Sequence, residues 1–534
     1  MRLKFKILGC QALAIAGLTL AMPAVATTWS RVLSEHFVVY SDVGPKMAQK
    51  YATRLEQYRY LLGLMYNSEE DAVAERRLDV YFLDKRDELA VVWPGVDKDV
   101  AGFVQQCTGG MTAYAVYEGE DLESSRLDRQ SPQVTQTVIF HEYAHQFMFL
   151  HTHGVYPTWY VEGFAEFYGT TLIQGDQAVV GRAWPERVIE LHSMGGSFDY
   201  AAILRDDPKT VYKIEHFHAE SWLLYHWIMA DNGRMAKFQD YLDARDSGED
   251  PVKAFERIFG LSAAELGETL SRYLNGSDIR ESRLTLSSMP QVQVSVSTLP
   301  AAADRLALLD SAATTCSEDP KLLSHITTEA AKYPGDDYAQ GVKARADIML
   351  GDESLALDYY KAYTAAHPDD AKGYYWLGLT QYLMARHGKI IPGETADSQI
   401  AKARQAFIAS YRLDPNDPVN LYYLSLTGVK GPDYPDDMTL NAAIQAHLLS
   451  PAVTDYAFNA ALLLLRKGRL EETRAVLTPL ASNPHGDAET KAAVAAIIDA
   501  IDKGTSAGDI MSLIEKLSAP APEPATPPAP PKAH

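Results

Sequence analysis

Cysteine is scarce, with three residues in a chain of 534. Cys10 falls in an N-terminal apolar run, and Cys107 and Cys316 lie in different predicted domains, so no disulfide framework holds this chain together. Positive charge is also short. Lys and Arg number 49 against 70 Asp and Glu, a formal net charge of −21, and no basic stripe marks any segment. A surface of that sign repels a phosphate backbone, which argues against nucleic acid as a partner. After the first 26 residues no apolar run reaches the roughly 20 residues that cross a bilayer, so no membrane span is expected in the mature protein.

What remains is the composition of a globular protein, 47% hydrophobic and 22% charged. The length exceeds one ordinary core, and two or three domains are expected. Arg2, Lys4 and Lys6 precede the apolar run from Ile7 to Leu20, and Ala24-Val25-Ala26 offers small residues for cleavage. This is the pattern of a secretory signal over 1–26, which predicts export to the periplasm or beyond and a mature start near Thr27. The run is short for a membrane anchor. "ILGC" does not make Cys10 a lipidation site, because most of the apolar run follows the cysteine instead of preceding it.

Residues 27–275 mix strands with helices. "HFVVYSD" (His36 to Asp42), "LDVYFLD" (Leu78 to Asp84) and "MTAYAVYE" read as strands, with a helix expected around Met47 to Leu64. Ser131 and Pro132 form a cap and first-turn proline, and Ser262 with Glu265 forms a capping box. A small sheet leading into helices is the α+β arrangement. Residues 276–299 form a Ser-rich linker with one strand-like piece. From 300 to 517 the pattern is all-helical and repeats. Ala403, Phe407, Ser410 and Pro415 stand at the offsets of the second helix of a tetratricopeptide repeat (TPR), and Leu377-Gly378 fits its first helix. Ala356, Tyr360, Tyr363 and Pro368 repeat those offsets one unit earlier. The two prolines are 47 residues apart against roughly 34 in a regular unit, which implies an insertion between His387 and Gln399. Tyr456 to Pro484 resembles a more degenerate unit. The Pro/Ala-rich tail, 518–534, is expected to be extended or disordered.

The chemistry concentrates in "VIFHEYAHQFMFLHTHGVYPTWYVEGFAEFYG". In "HEYAH", His141 and His145 are four apart, so a helix places both imidazoles on one face, where they can share one Zn²⁺. Glu142, next in sequence, is carried toward the metal's open side as a general base. A metal-bound water has its pKa lowered to about 7, within reach of such a carboxylate. A catalytic zinc wants three protein ligands. Seventeen residues after His145 comes Glu162, on a second helix that Thr158 could cap and Gly169 could end. Glu166, one turn further on the same face, is placed to accept the free N–H of a ligand histidine.

HExxH followed by a helix carrying "EGFAE" resembles the gluzincin zinc peptidases. "HFVVYSD", "YPTWYVEGFAEFYG" and "HAESWLLYHWI" are similar to the peptidase MA-like domain of exported bacterial proteins, often followed by tetratricopeptide repeats. The resemblance spans about 34–275. It implies a zincin-like peptidase fold over 27–275, one zinc per chain on His141, His145 and Glu162, Glu142 as the base, and a peptide or protein substrate. In the family a tyrosine commonly precedes the "AQSW"-like segment, as donor to the developing oxyanion; here His218 holds that place, with Tyr212 and His216 as competitors. "CTGGMTAYAVYE" falls where gluzincins put the sheet-edge strand that pairs with substrate. Thr112 and Ala113 follow Gly109-Gly110-Met111 where aminopeptidases carry polar anchors, which speaks against aminopeptidase activity.

Two alternatives stand beside this. His151 lies at the third-ligand spacing of the metzincins, with Met194 available for their Met-turn. Met148, however, occupies the position of their turning glycine, and on a continuous helix His151 sits about 240° around from His145 and roughly 9 Å along, facing away. His151 and His153 are then loop residues near the site. The other alternative is a catalytically silent peptidase fold whose repeats present a concave surface to a protein partner.

Overall fold

The structure of the chain is a computed structural model. It describes residues 29–66, 76–98, 100–107, 109–117, 134–151, 156–195, 198–207, 210–276, 279, 281–286, 289, 291–315, 317, 319–481 and 488–517. The expected signal sequence and the expected cap at Ser131-Pro132, with His153, Cys316, Pro484 and the tail, lie outside these.

A mixed α/β region precedes a long helical one. Six strands form the main sheet: β1 (Ser30–Leu33), β2 (Phe37–Ser41), β3 (Leu78–Leu83), β4 (Gly102–Cys107), β5 (Gly110–Val116) and β9 (Ser295–Thr298), in the order β4-β5-β3-β2-β1-β9. β2, β3 and β5 run parallel, while β4 pairs antiparallel with β5. A second sheet joins β6 (Leu172–Gln174), β7 (Gln177–Val180) and β8 (Ser282–Thr285). The expected strands are present, and α1 (Pro45–Tyr66) covers the helix expected between the first two.

Two readings need correction. "MTAYAV" is not the sheet edge. It is β5, paired on both sides, and the edge belongs to β4, whose "GFVQQC" carries too little apolar alternation to announce a strand. The stretch 276–299 supplies two strands, not one, with β8 on β7 and β9 on β1, whose paired residues are 262 to 268 apart in sequence.

The sheet is buried on both faces, which explains why "LDVYFLD" is almost continuously apolar. Leu78, Val80 and Phe82 of β3, with Ala113 and Ala115 of β5, face a core shared with α1 and α3 (Val134–His151). Tyr81 and Leu83, with Tyr114 and Val116, point the other way into a core shared with α11 (Ala303–Thr314), α12 (Leu322–Ala330) and α13 (Asp337–Leu350). Tyr114 Oη lies 2.7 Å from Ser311 Oγ and 3.2 Å from Thr315 Oγ1, so the first helices of the C-terminal region seal the sheet.

Between these lie α2 (Leu89–Val92), α4 (Thr158–Gly169), α5 (Pro185–Ser193), α6 (Tyr200–Arg205), α7 (Phe217–Met229), α8 (Asn232–Asp246), α9 (Pro251–Phe259) and α10 (Ala263–Asn275). The capping box at Ser262 and Glu265 is formed. Beyond α13 the helices pack on their sequence neighbours as a repeat array does. In α15 (Ala371–Arg386) and α16 (Ala396–Leu413), Gly378 lets the Phe407 ring close in: a Cβ at Gly378 would stand 2.8 Å from that ring. The residues from His387 lengthen the connection between these helices, and Gln399 anchors it by accepting from Ile391 N at 3.0 Å.

Candidate metal centre

The centre forms where α3 and α4 pack together. Tyr58 of α1 donates to Phe140 O at 3.0 Å, its ring stacked on that of Phe140, and Gln136 donates to Thr171 O at 3.1 Å. These bonds fix α3 against α1 and the end of α4. Gly169 eases this close contact: a Cβ there would lie 3.2 Å from both His141 Cβ and Thr137 O, so the neighbours would have to give by a few tenths of an ångström. Thr158 does not cap α4. The cap position is Pro157, and Thr158 N donates to Asp206 Oδ1 at 2.9 Å. Asp206 is in turn gripped by Arg245 at 2.9 Å.

His141, His145 and Glu162 converge, each offering one atom within 4.8 Å of the others. His141 Nε2 and His145 Nε2 are 3.1 Å apart. Glu162 Oε2 is 3.6 Å from the first and 3.5 Å from the second. Ligand bonds of about 2.0–2.2 Å at tetrahedral angles separate neighbouring ligand atoms by about 3.3–3.5 Å, so the triangle matches one face of a zinc tetrahedron. Glu162 is 2% exposed, and its Oε2 makes no hydrogen bond. A buried carboxylate oxygen without a donor is costly unless a cation answers it. These residues therefore fit zinc.

Their ionisation suits it as well. Burial, with His145 alongside, pushes the His141 imidazole down to about 4, so it is neutral at pH 7, as a ligand must be. Burial alone would raise the Glu162 carboxyl, but His145, His218 and His141 outweigh it and hold the group far below the usual carboxylate range.

The other predicted residues distribute around this triad. Glu142 is half-buried on α3 beside His141. Glu166, 1% exposed, places Oε1 3.9 Å from His141 Nδ1. His218, in the first turn of α7, brings Nε2 to 3.6 Å from Glu162 Oε2 with its side chain 44% exposed. His216 turns away and pairs with Glu190 through Nδ1 at 2.9 Å. Tyr212 lies in the 3₁₀ turn Val211–Lys213. His151 ends α3 with its ring 4.3 Å from that of Phe147 and takes no part in the triad, and Met194 caps α5.

Sequence reasoning missed Arg187, which donates to Glu166 Oε1 from Nη2 at 2.6 Å and Nε at 3.2 Å. Its local pairing with Glu190, three residues on, was readable in "PERVIEL"; its reach back to α4 was not. Also unforeseen was the closeness of α4 and α7: at Gly163 a Cβ would meet Tyr225 Cβ at 2.5 Å and Ser221 O at 2.6 Å.

Among the described residues no helix is long and apolar enough to cross a membrane. No family model matches the chain, and no curated protein matches it. Among solved structures, a thermophilic TPR protein from Thermus thermophilus aligns with 36% of this chain and 97% of its own length, at 19% identity and a TM-score of 0.29. A His/His/Glu triad geometrically consistent with a single zinc site, set in an α/β region that leads into a long, mostly helical, repeat-like region, is what the chain presents.

Proposed function

We propose that this chain is an exported zinc-dependent peptidase of the gluzincin type, similar to the peptidase MA-like proteins, and that residues 27–275 form its peptidase domain. The observation that carries the reading is the triad: two imidazole nitrogens 3.1 Å apart, facing a buried carboxylate oxygen that makes no hydrogen bond. Zinc held by His141, His145 and Glu162 would supply a water of lowered pKa and polarise the scissile carbonyl. Glu142, adjacent to a ligand on the same helix, takes the proton from the attacking water and passes it to the leaving amine. His218 projects beside Glu162 and donates to the oxyanion through its imidazole. Glu166 faces His141 Nδ1 with Oε1 at 3.9 Å, the side of the ring away from the metal, and so favours Nε2 as the metal-binding atom. β4, at the end of the sheet order and in contact with α3, offers an edge on which an extended peptide could add as a strand.

Export rests on the basic, apolar and small-residue pattern of residues 1–26. Incubating the purified, zinc-loaded mature protein with a mixed peptide library, beside Glu142→Gln, tests the activity. Cleavage by the first and none by the second is expected. A zinc-replete wild type that cleaves no peptide would refute the enzyme and leave a silent, partner-binding fold.

A further inference from the structure

One ionic chain near the triad extends beyond Glu166 to residues that have no part in the chemistry above. It starts at Glu166, whose carboxylate is 1% exposed and whose orientation water therefore does not set. Arg187 grips Oε1 of that carboxylate from two donors, at 2.6 and 3.2 Å. The guanidinium lies 5.1 Å from the Trp184 ring centroid and sends Nη1 to Glu190 Oε2 at 3.1 Å. The other oxygen of Glu190 meets His216 Nδ1 at 2.9 Å. His216 holds a φ of 66°, a left-handed conformation that non-glycine residues adopt only where their surroundings over-determine it, and it is the N-cap of α7. Two residues further on is His218.

The chain thus runs from the carboxylate facing a ligand histidine to the turn that presents a third imidazole to Glu162. We infer that Arg187 and Glu190 are positioning residues of the metal centre, Arg187 acting through Glu166 on His141 and Glu190 acting through Arg187 and the His216 turn. This rests on the zinc reading above. A guanidinium fork suits the task because its donors are fixed in a plane, so it pins one carboxylate oxygen where a lysine would allow it to swing. Without the fork, Glu166 can rotate Oε1 away from its place 3.9 Å from His141 Nδ1, and the imidazole loses the carboxylate that faces its outer nitrogen.

The test is the zinc dissociation constant of the mature protein, measured by chelator competition, together with the visible spectrum of its Co²⁺ form. Loss of an outer partner of a metal ligand costs about 10- to 100-fold in affinity, and that weakening is expected of Arg187→Met, with a shifted Co²⁺ spectrum. Arg187→Lys should recover part of the affinity, and Glu190→Gln should lose less than Arg187→Met. Circular dichroism shows whether each variant is folded. A folded Arg187→Met that matches wild type in zinc affinity and Co²⁺ spectrum overturns the inference and leaves the metal reading intact. Should Arg187→Met fail to fold, Arg187→Lys decides: weaker zinc supports the inference, and unchanged zinc with an unchanged spectrum overturns it. A wild type that binds no zinc refutes the metal reading itself.

Discussion

Glu162 Oε2 lies 3.5 Å from His145 Nε2, bringing together a carboxylate and an imidazole that are both nearly excluded from water. Seventeen residues separate them in sequence, so the contact depends on α4 folding back along α3. Zinc retention in single variants reads out that dependence. His141→Ala is expected to abolish bound zinc and Glu162→Ala to weaken it strongly, while His151→Ala, at the far end of α3, leaves it unchanged. Metal analysis after dialysis against a weak chelator measures all three. Zinc lost from His151→Ala but kept by Glu162→Ala would favour the metzincin arrangement.

Glu142→Gln separates binding from turnover. It keeps the side chain's size and removes its basicity, so zinc content should stay at the wild-type level. General-base contributions are typically about 10²- to 10⁴-fold, and kcat should fall by at least that range on any peptide the wild type cleaves. Steady-state kinetics beside metal analysis checks it.

Gly163 marks the crossing of α4 and α7. Alanine there would set a Cβ 2.5 Å from Tyr225 Cβ and 2.6 Å from Ser221 O, contacts that only a shift of the helices can relieve. Overpacking of this kind costs about 1–3 kcal/mol. Gly163→Ala should lower the Tm and, because Glu162 precedes it, weaken zinc binding too.

Much of this centre was legible because it is local. The four-residue step in "HEYAH" and the step from Glu162 to Glu166 follow from helix geometry alone, and the gluzincin likeness placed Glu162 with them. Strands such as "HFVVYSD" declared themselves by β-branched and aromatic content. Arg187, β4 and the pairing of β9 with β1 were not legible, since each depends on a partner far away in sequence. The Thr158 cap failed for a related reason: α4 already begins at Thr158, whose own backbone N–H is satisfied by Asp206, the C-cap of α6, so the cap position falls on Pro157.

Glu220 makes stability pH-dependent. The residue is 1% exposed, and burial, reinforced by Asp199 and Glu190, raises its pKa to about 8 from an ordinary value of 4.5. The folded state therefore holds a proton that the unfolded chain releases, and its stabilising effect, complete below the unfolded value, is lost as pH rises through 8. Glu220→Gln, which cannot ionise, should raise the Tm at about pH 9 and change it little at about pH 4, with the difference growing between. Thermal melts across that range check the direction.

The seal between sheet and helical region rests partly on Tyr114, whose hydroxyl meets Ser311 and Thr315. Tyr114→Phe keeps the ring packing and takes the partner from Ser311 Oγ, while Thr315 Oγ1 still donates to Ser311 O at 2.7 Å, so a loss of about 1 kcal/mol in unfolding free energy is expected. Chemical denaturation measures it.

Metal stoichiometry of the folded wild-type chain tests the central claim most directly. Elemental analysis after zinc reconstitution and removal of excess ion should find one zinc per chain. Protein that is folded by circular dichroism yet retains no zinc, or any other divalent metal, after reconstitution would contradict the account.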